Sequence, residues 1–292
     1  MGALLRGIWW LLTSPFRLIA WMVRGIRNNL AMLAAEDPED TPIGDTVQRA
    51  VENPSDLLIH LAALRGHLLR SVLALILVAI AVFSYSLPLL EWLTQPVGGL
   101  QGLQAIEVTE PIGVVMRVTL IGAFAITLPY ISLELLFFAA PGLSRRARFT
   151  GLLAIPLVFI FFVGGMLFTY YFLLPPAVEF LLEFMGIPTL VRPSSYINFA
   201  TGLMFWIGIF FEFPLVSYVL AAMGILPAEQ LRRHWRIAVV ALSVVAAAIT
   251  PTIDPINMAL VWAPLVILYF ISVGTASLAE SQRRARLRRR ES

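Results

Sequence analysis

Glu212 lies within the apolar run Trp206-Ile207-Gly208-Ile209-Phe210-Phe211-Glu212-Phe213-Pro214. A charged carboxylate at the centre of a membrane helix costs about 2.5–3.5 kcal/mol on insertion scales. The side chain must therefore be neutralised by protonation, face a polar cavity or find a partner. Pro214, two residues on, breaks the helical hydrogen-bond ladder and frees a carbonyl nearby. Glu212 reads as a functional intramembrane polar site, against the alternative of a neutral acid hydrogen-bonded for structural reasons. Glu134 lies four residues before Phe138, on the same helical face, where nearby headgroups lower its cost and a snorkelling acid would account for it. Arg117 could snorkel outward or pair with Glu107 or Glu110, a structural role. Asp254 stands in the turn Thr250-Pro251-Thr252-Ile253-Asp254-Pro255, where proline and aspartate are turn formers.

None of these groups makes an enzyme. An intramembrane aspartyl protease needs two carboxylates able to share a proton, and no second aspartate lies in any apolar segment. Serine or histidine chemistry needs an imidazole at membrane depth, whereas His60, His67 and His234 all fall at segment ends. With no cysteine there is no disulfide, thiol nucleophile or thiolate ligand, and the three histidines show no paired metal spacing. No catalytic residue, metal or cofactor is expected.

The elements that carry these residues are membrane spans. Hydrophobic residues make up 59% of the chain, charged residues only 13%, and the mean hydropathy is +0.84, which excludes an ordinary soluble domain. Each span needs about 20 apolar helical residues. The pattern predicts six, near Leu68–Leu90, Pro111–Pro141, Phe149–Leu174, Tyr196–Met223, Ile237–Thr250 and Ala259–Ser277. Pro111 suits a first helical turn, Pro141-Gly142 ends the second span, and Pro175-Pro176 is expected to end the third. The fifth and sixth are short; the fifth covers only about 21 Å at 1.5 Å per residue, a mismatch met by local bilayer thinning or helix pairing. No internal repeat is evident, which argues against an inverted-repeat transporter.

Arginine is the sole strong base, and it alternates between connections. Arg65 and Arg70 precede the first span, and Arg145, Arg146 and Arg148 follow the second. Arg232, Arg233 and Arg236 follow the fourth, and a run from Arg283 to Arg290 follows the sixth. The other connections hold Arg192 and little else basic. By the positive-inside bias both termini are cytoplasmic. The expected fold is therefore an all-α, polytopic membrane protein with N-in/C-in topology. The formal charge of +3 reflects these loops and implies no nucleic-acid partner. Arginines directly after a span instead fix topology and contact anionic lipid.

Three regions follow. Residues 1–54 combine an acidic linker with a basic segment. There, Arg6, Arg17, Arg24 and Arg27 share one arc and Trp9, Trp10 and Trp21 suit headgroup level, as in an interfacial amphipathic helix; a poorly ordered extension is the alternative. Residues 55–280 form the membrane domain, opened by a short amphipathic helix that Ser55 or Asp56 can cap. Residues 281–292 are a basic cytoplasmic tail.

In order, these segments resemble one family: TatC, the polytopic core of the Sec-independent, twin-arginine protein translocase. The motifs are His60-Leu61-Ala62-Ala63-Leu64-Arg65, Glu110-Pro111, Phe138-Ala139-Ala140-Pro141-Gly142-Leu143 and Phe211-Glu212-Phe213-Pro214. Met223-Gly224-Ile225-Leu226, Leu231-Arg232-Arg233 and Thr250-Pro251 with Asp254 complete the set. The resemblance implies a cupped six-helix bundle in the cytoplasmic (inner) membrane of a prokaryote. It would be oligomeric and bind the twin-arginine signal of folded precursors at its cytoplasmic face. It would recruit TatA- and TatB-like single-span proteins, with transport driven by the proton-motive force. By the same resemblance Arg65, Phe138, Leu143 and Glu134 would form the signal-recognition surface, and Pro111, Pro141, Thr250, Pro251 and Asp254 would serve structure and assembly.

The chain departs from the family where recognition is expected. The family's two acids, counter-charges for the signal's arginines, fall on Ala63 and Ala147, the latter inside Arg145-Arg146-Ala147-Arg148. Three arginines there would repel a twin-arginine peptide. The family's polar residue early in span six falls on Met258, with Asn257 beside it. Glu134 or Asp56 is the expected replacement acid. The alternatives are a TatC-fold scaffold that has lost signal recognition and a proton-coupled solute transporter built on Glu212.

Overall fold

The computed structural model describes residues 24–25, 54–143, 145–183, 190–250 and 254–291. Most of the expected basic segment and acidic linker, and Pro251, lie outside the described residues. Regular structure among those described is helical, with one isolated parallel bridge between Leu103 and Val191. Ten α-helices can be named in chain order: α1 (Pro54–Phe83), α2 (Ser86–Thr94), α3 (Glu110–Ala139), α4 (Arg145–Phe168), α5 (Leu174–Glu183), α6 (Pro193–Phe211), α7 (Phe213–Met223), α8 (Ala228–Arg233), α9 (Trp235–Ile249) and α10 (Pro255–Glu291). Five stretches are long and apolar enough to cross a membrane, and α9 is a shorter apolar helix of 15 residues. This is an all-α, multi-pass membrane protein.

Several boundaries differ from the sequence expectation, each for a local reason. No short helix precedes the first span; α1 is one continuous helix from Pro54, because Arg65-Gly66-His67 holds a single glycine and no proline to break it. Pro175-Pro176 do not end the third span. Residues Thr169–Leu173 widen into a π-turn, in which the Leu174 amide reaches back five residues to the Thr169 carbonyl, and the helix resumes. The register shift absorbs two prolines that cannot donate. The fourth span breaks at Glu212, between α6 and α7, where Pro214 lacks its amide hydrogen. The sixth is not short: α10 has 37 residues, because Ala-, Glu-, Gln- and Arg-rich sequence continues the helix past the apolar part.

The described chain divides into two compact units. The first comprises the residues up to Leu73 together with Ile131–Leu152; the second comprises Ala74–Tyr130 and Leu153–Ser292. In the second, Val118, Leu174, Ile197, Leu203, Ile207 and Leu265 are buried in one core. The Tyr170 and Tyr196 hydroxyls donate to the Trp92 and Leu93 carbonyls at 2.6 and 2.7 Å and hold α2 against that core. A Cβ on Gly165 would lie 2.8 Å from the Gly208 Cα, so α4 and α6 touch backbone to backbone where only glycine fits. Further along, α7 and α10 meet over small side chains, Ala221, Ala276 and Ala279, with Ala228 of α8 joining them. The Ser217 hydroxyl donates to the Ser272 carbonyl across that seam at 3.1 Å.

Candidate functional site

In the first unit, α1 and α3 are joined through Glu134. Its side chain is 1% exposed. Arg70 Nε donates to its two carboxylate oxygens at 2.9 and 3.0 Å, and His67 Nδ1 lies 2.6 Å from Oε2. His67 and Arg70 are three residues apart and share one face of α1. Arg70 Nη2 also lies 2.8 Å from His67 Nδ1. That nitrogen can serve one neighbour at a time: protonated, it donates to Glu134; unprotonated, it accepts from Arg70. Either way, both oxygens of the acid are engaged by the chain's own cations. Phe138, one turn beyond Glu134, packs edge-on to the His67 ring with centroids 6.1 Å apart.

Other expected recognition residues lie in the same unit. Ala63 and Arg65 are exposed on α1, and Arg145 is exposed at the start of α4. Ala147 and Leu143 are half-buried. Arg148 is 4% exposed and donates through Nε to the Leu143 carbonyl at 2.9 Å, which holds the loop after Pro141. Among the described side chains of this unit, Glu134 is the one acid; that of Asp56 is not among them. Sequence reasoning placed Glu134 at the recognition surface and missed its partners. The available signal was His67 and Arg70 at helical spacing just ahead of an apolar run.

The second unit holds the remaining candidates. Both Glu212 carboxylate oxygens are buried and have no hydrogen-bond partner among the described residues. Pro111 occupies the first turn of α3, directly after Glu110. Glu110 is 6% exposed and accepts from Arg192 Nε and Nη2 at 2.9 and 2.7 Å, from the Ser194 hydroxyl, and from the Ile106 amide at 2.8 Å. Arg192 also reaches Glu107 at 3.2 Å, and the Glu110 carboxylate holds its guanidinium pKa above the ordinary value. Arg117 therefore pairs with neither expected acid, since Arg192 has claimed both; its Nε donates to Thr201 Oγ1 at 2.9 Å. Thr250 is buried after α9 and donates to the Ala246 carbonyl at 2.6 Å. Asp254 is more than a turn former. Its Oδ1 accepts the Asn257 amide at 2.7 Å and its Oδ2 the Asn257 side-chain amide at 3.1 Å, which makes it the N-cap of α10. No cluster of potential metal ligands occurs among the described residues.

Comparison with known proteins identifies the architecture. Residues 59–264 match the family profile of the Sec-independent protein translocase protein TatC. The Sec-independent protein translocase protein TatC of Carboxydothermus hydrogenoformans is 34% identical over 225 residues, covering 76% of this chain and 93% of that protein. TatCy of Bacillus subtilis is 32% identical, with 76% and 88% covered. A crystal structure of the twin-arginine translocase receptor TatC superposes with a TM-score of 0.65 at 30% identity, over 75% of this chain and 99% of that one. On sequence and fold together, the chain belongs to the TatC family of Sec-independent protein translocase proteins.

Proposed function

We propose that the chain is the polytopic subunit of a twin-arginine translocase in the cytoplasmic membrane, with both termini cytoplasmic. It would assemble with TatA- and TatB-like single-span proteins and move folded precursors on the proton-motive force. The observation that carries this reading is the likeness to the TatC receptor over 99% of that receptor's length at 30% identity. The test is deletion of the gene in its own host, with export of a folded fluorescent reporter behind a twin-arginine signal as readout. Loss of export, restored by the full chain and accompanied by co-purification of single-span partners, supports the reading. Export unchanged after deletion, with no partner co-purifying, contradicts it.

A second reading concerns recognition, and Glu134 favours it. The acid that could replace the two family carboxylates is buried and engaged by Arg70 and His67. For a signal arginine to use it, Arg70 must leave, and the same unit exposes Arg65 and Arg145. Like charges there oppose a twin-arginine peptide. The subunit then keeps the fold and the partners but selects twin-arginine signals weakly by itself. Glu134→Gln tests the residue: unchanged crosslinking to a signal peptide excludes Glu134 as its counter-charge.

A further inference from the structure

Arg117 lies seven residues into α3 from Glu110, about 10 Å along the axis at 1.5 Å per residue. Among the described residues no carboxylate pairs with it. Its Nε donates to Thr201 Oγ1 at 2.9 Å and its Nη2 points to the Asn198 carbonyl at 3.5 Å. A guanidinium has five N–H donors, so most of its hydrogen-bonding capacity is unspent. It lines a cavity of about 430 Å³ between α3 and α6, with Gly113, Met116, Gly202, Phe205 and Trp206. Two glycines leave room beside the charge. A Cβ on Gly113 would meet nothing within 4 Å, and one on Gly202 would approach Arg117 Nη2 to 3.8 Å. Met116 and Trp206 are each 46% exposed on apolar, membrane-length helices, so the cavity opens toward lipid.

A cation at that position needs a counter-charge that can reach it from the bilayer. The phosphodiester of a lipid is such a group, and arginine matches its oxygens bidentately. Trp206, thirteen residues into α6 and so about 20 Å along it, lies deeper than Arg117, and with Met116 it offers an apolar surface to an acyl chain. A zwitterionic lipid would bring its own cation beside Arg117, where Glu107 and Glu110 are already held by Arg192. We propose that the groove between α3 and α6 binds the phosphate of one anionic phospholipid, with Arg117 as its counter-charge. The site is independent of signal recognition and lies at the end of α3 away from the arginine-rich loop.

The test is native mass spectrometry of the full chain in detergent, titrated with phosphatidylglycerol or phosphatidylcholine. The wild type is expected to retain one phosphatidylglycerol that Arg117→Gln loses, a change of about tenfold in apparent affinity, with Arg117→Lys intermediate. Phosphatidylcholine binding should be the same in all three. Gly113→Leu keeps the arginine but fills the cavity; it should lose the same lipid with an unchanged melting temperature. Equal phosphatidylglycerol retention by wild type and Arg117→Gln overturns the proposal. So does displacement of the lipid by millimolar inorganic phosphate, which would assign the site to a free anion.

Discussion

Glu134 and Glu212 are both acids on apolar helices, and their surroundings treat them in opposite ways. Glu134 has a guanidinium and an imidazole within hydrogen-bonding distance, whereas Glu212 has buried oxygens and no partner among the described residues. Opposite mutational signs follow. Removing one member of a buried ion pair strands the other, so Arg70→Leu is expected to destabilise the protein by about 3–5 kcal/mol. The double change Arg70→Leu with Glu134→Leu should recover much of that, as read from unfolding in detergent. Additive losses would mean that the two side chains do not interact. An unsatisfied buried polar group costs about 1–3 kcal/mol, so Glu212→Leu should raise stability by a similar amount. Lower stability in Glu212→Leu would reveal a partner for the acid. The sequence marked both acids by their apolar neighbours. It could not separate them, because the cations that decide the matter for Glu134 lie more than sixty residues away in the chain.

Helix ends were more legible than helix interiors, because the signals are local. Pro111 at the start of α3 and Pro141 after its end follow directly from the geometry of proline. Asp254 ahead of Pro255 could have been read as an N-cap for the same reason. Asp254→Ala should cost about 1 kcal/mol and Asp254→Asn much less; equal losses would show that the cap is not what stabilises α10. The continuation through Pro175-Pro176 was not legible, because the π-turn that absorbs the prolines depends on packing of Tyr170 and Leu173 in the core. Nor was the contact of α4 with α6 visible, since it joins glycines on two separate spans. Gly165→Ala would place a methyl group 2.8 Å from the Gly208 Cα. The two helices would have to separate, at an expected cost of about 1–3 kcal/mol; an unchanged melting temperature would argue against that contact.

At the scale of the whole molecule, the distribution of arginine carries the topology and the order of spans carries the family. Hydropathy, arginine spacing and short local motifs are read without any side-chain contact, which is why class and family were legible while the Glu134 pairing was not. Orientation is open to direct test, because the chain has no cysteine. In intact cells a membrane-impermeant maleimide should label Val108→Cys, at a residue 95% exposed between α2 and α3, and spare Ser281→Cys. The reverse pattern would invert the assigned topology. Family membership and the departures at Ala63 and Ala147 together make the central claim: a TatC-family subunit in which the described side chains of the first unit, where we propose that a signal would dock, include no unclaimed carboxylate. The most direct test is binding of a twin-arginine signal peptide, against its twin-lysine control, to the purified chain in nanodiscs. The account predicts at most a weak preference for the arginine form in the wild type and a clear one once Ala63→Glu and Ala147→Glu are both introduced. A strong wild-type preference for the arginine form that Glu134→Gln abolishes would contradict it.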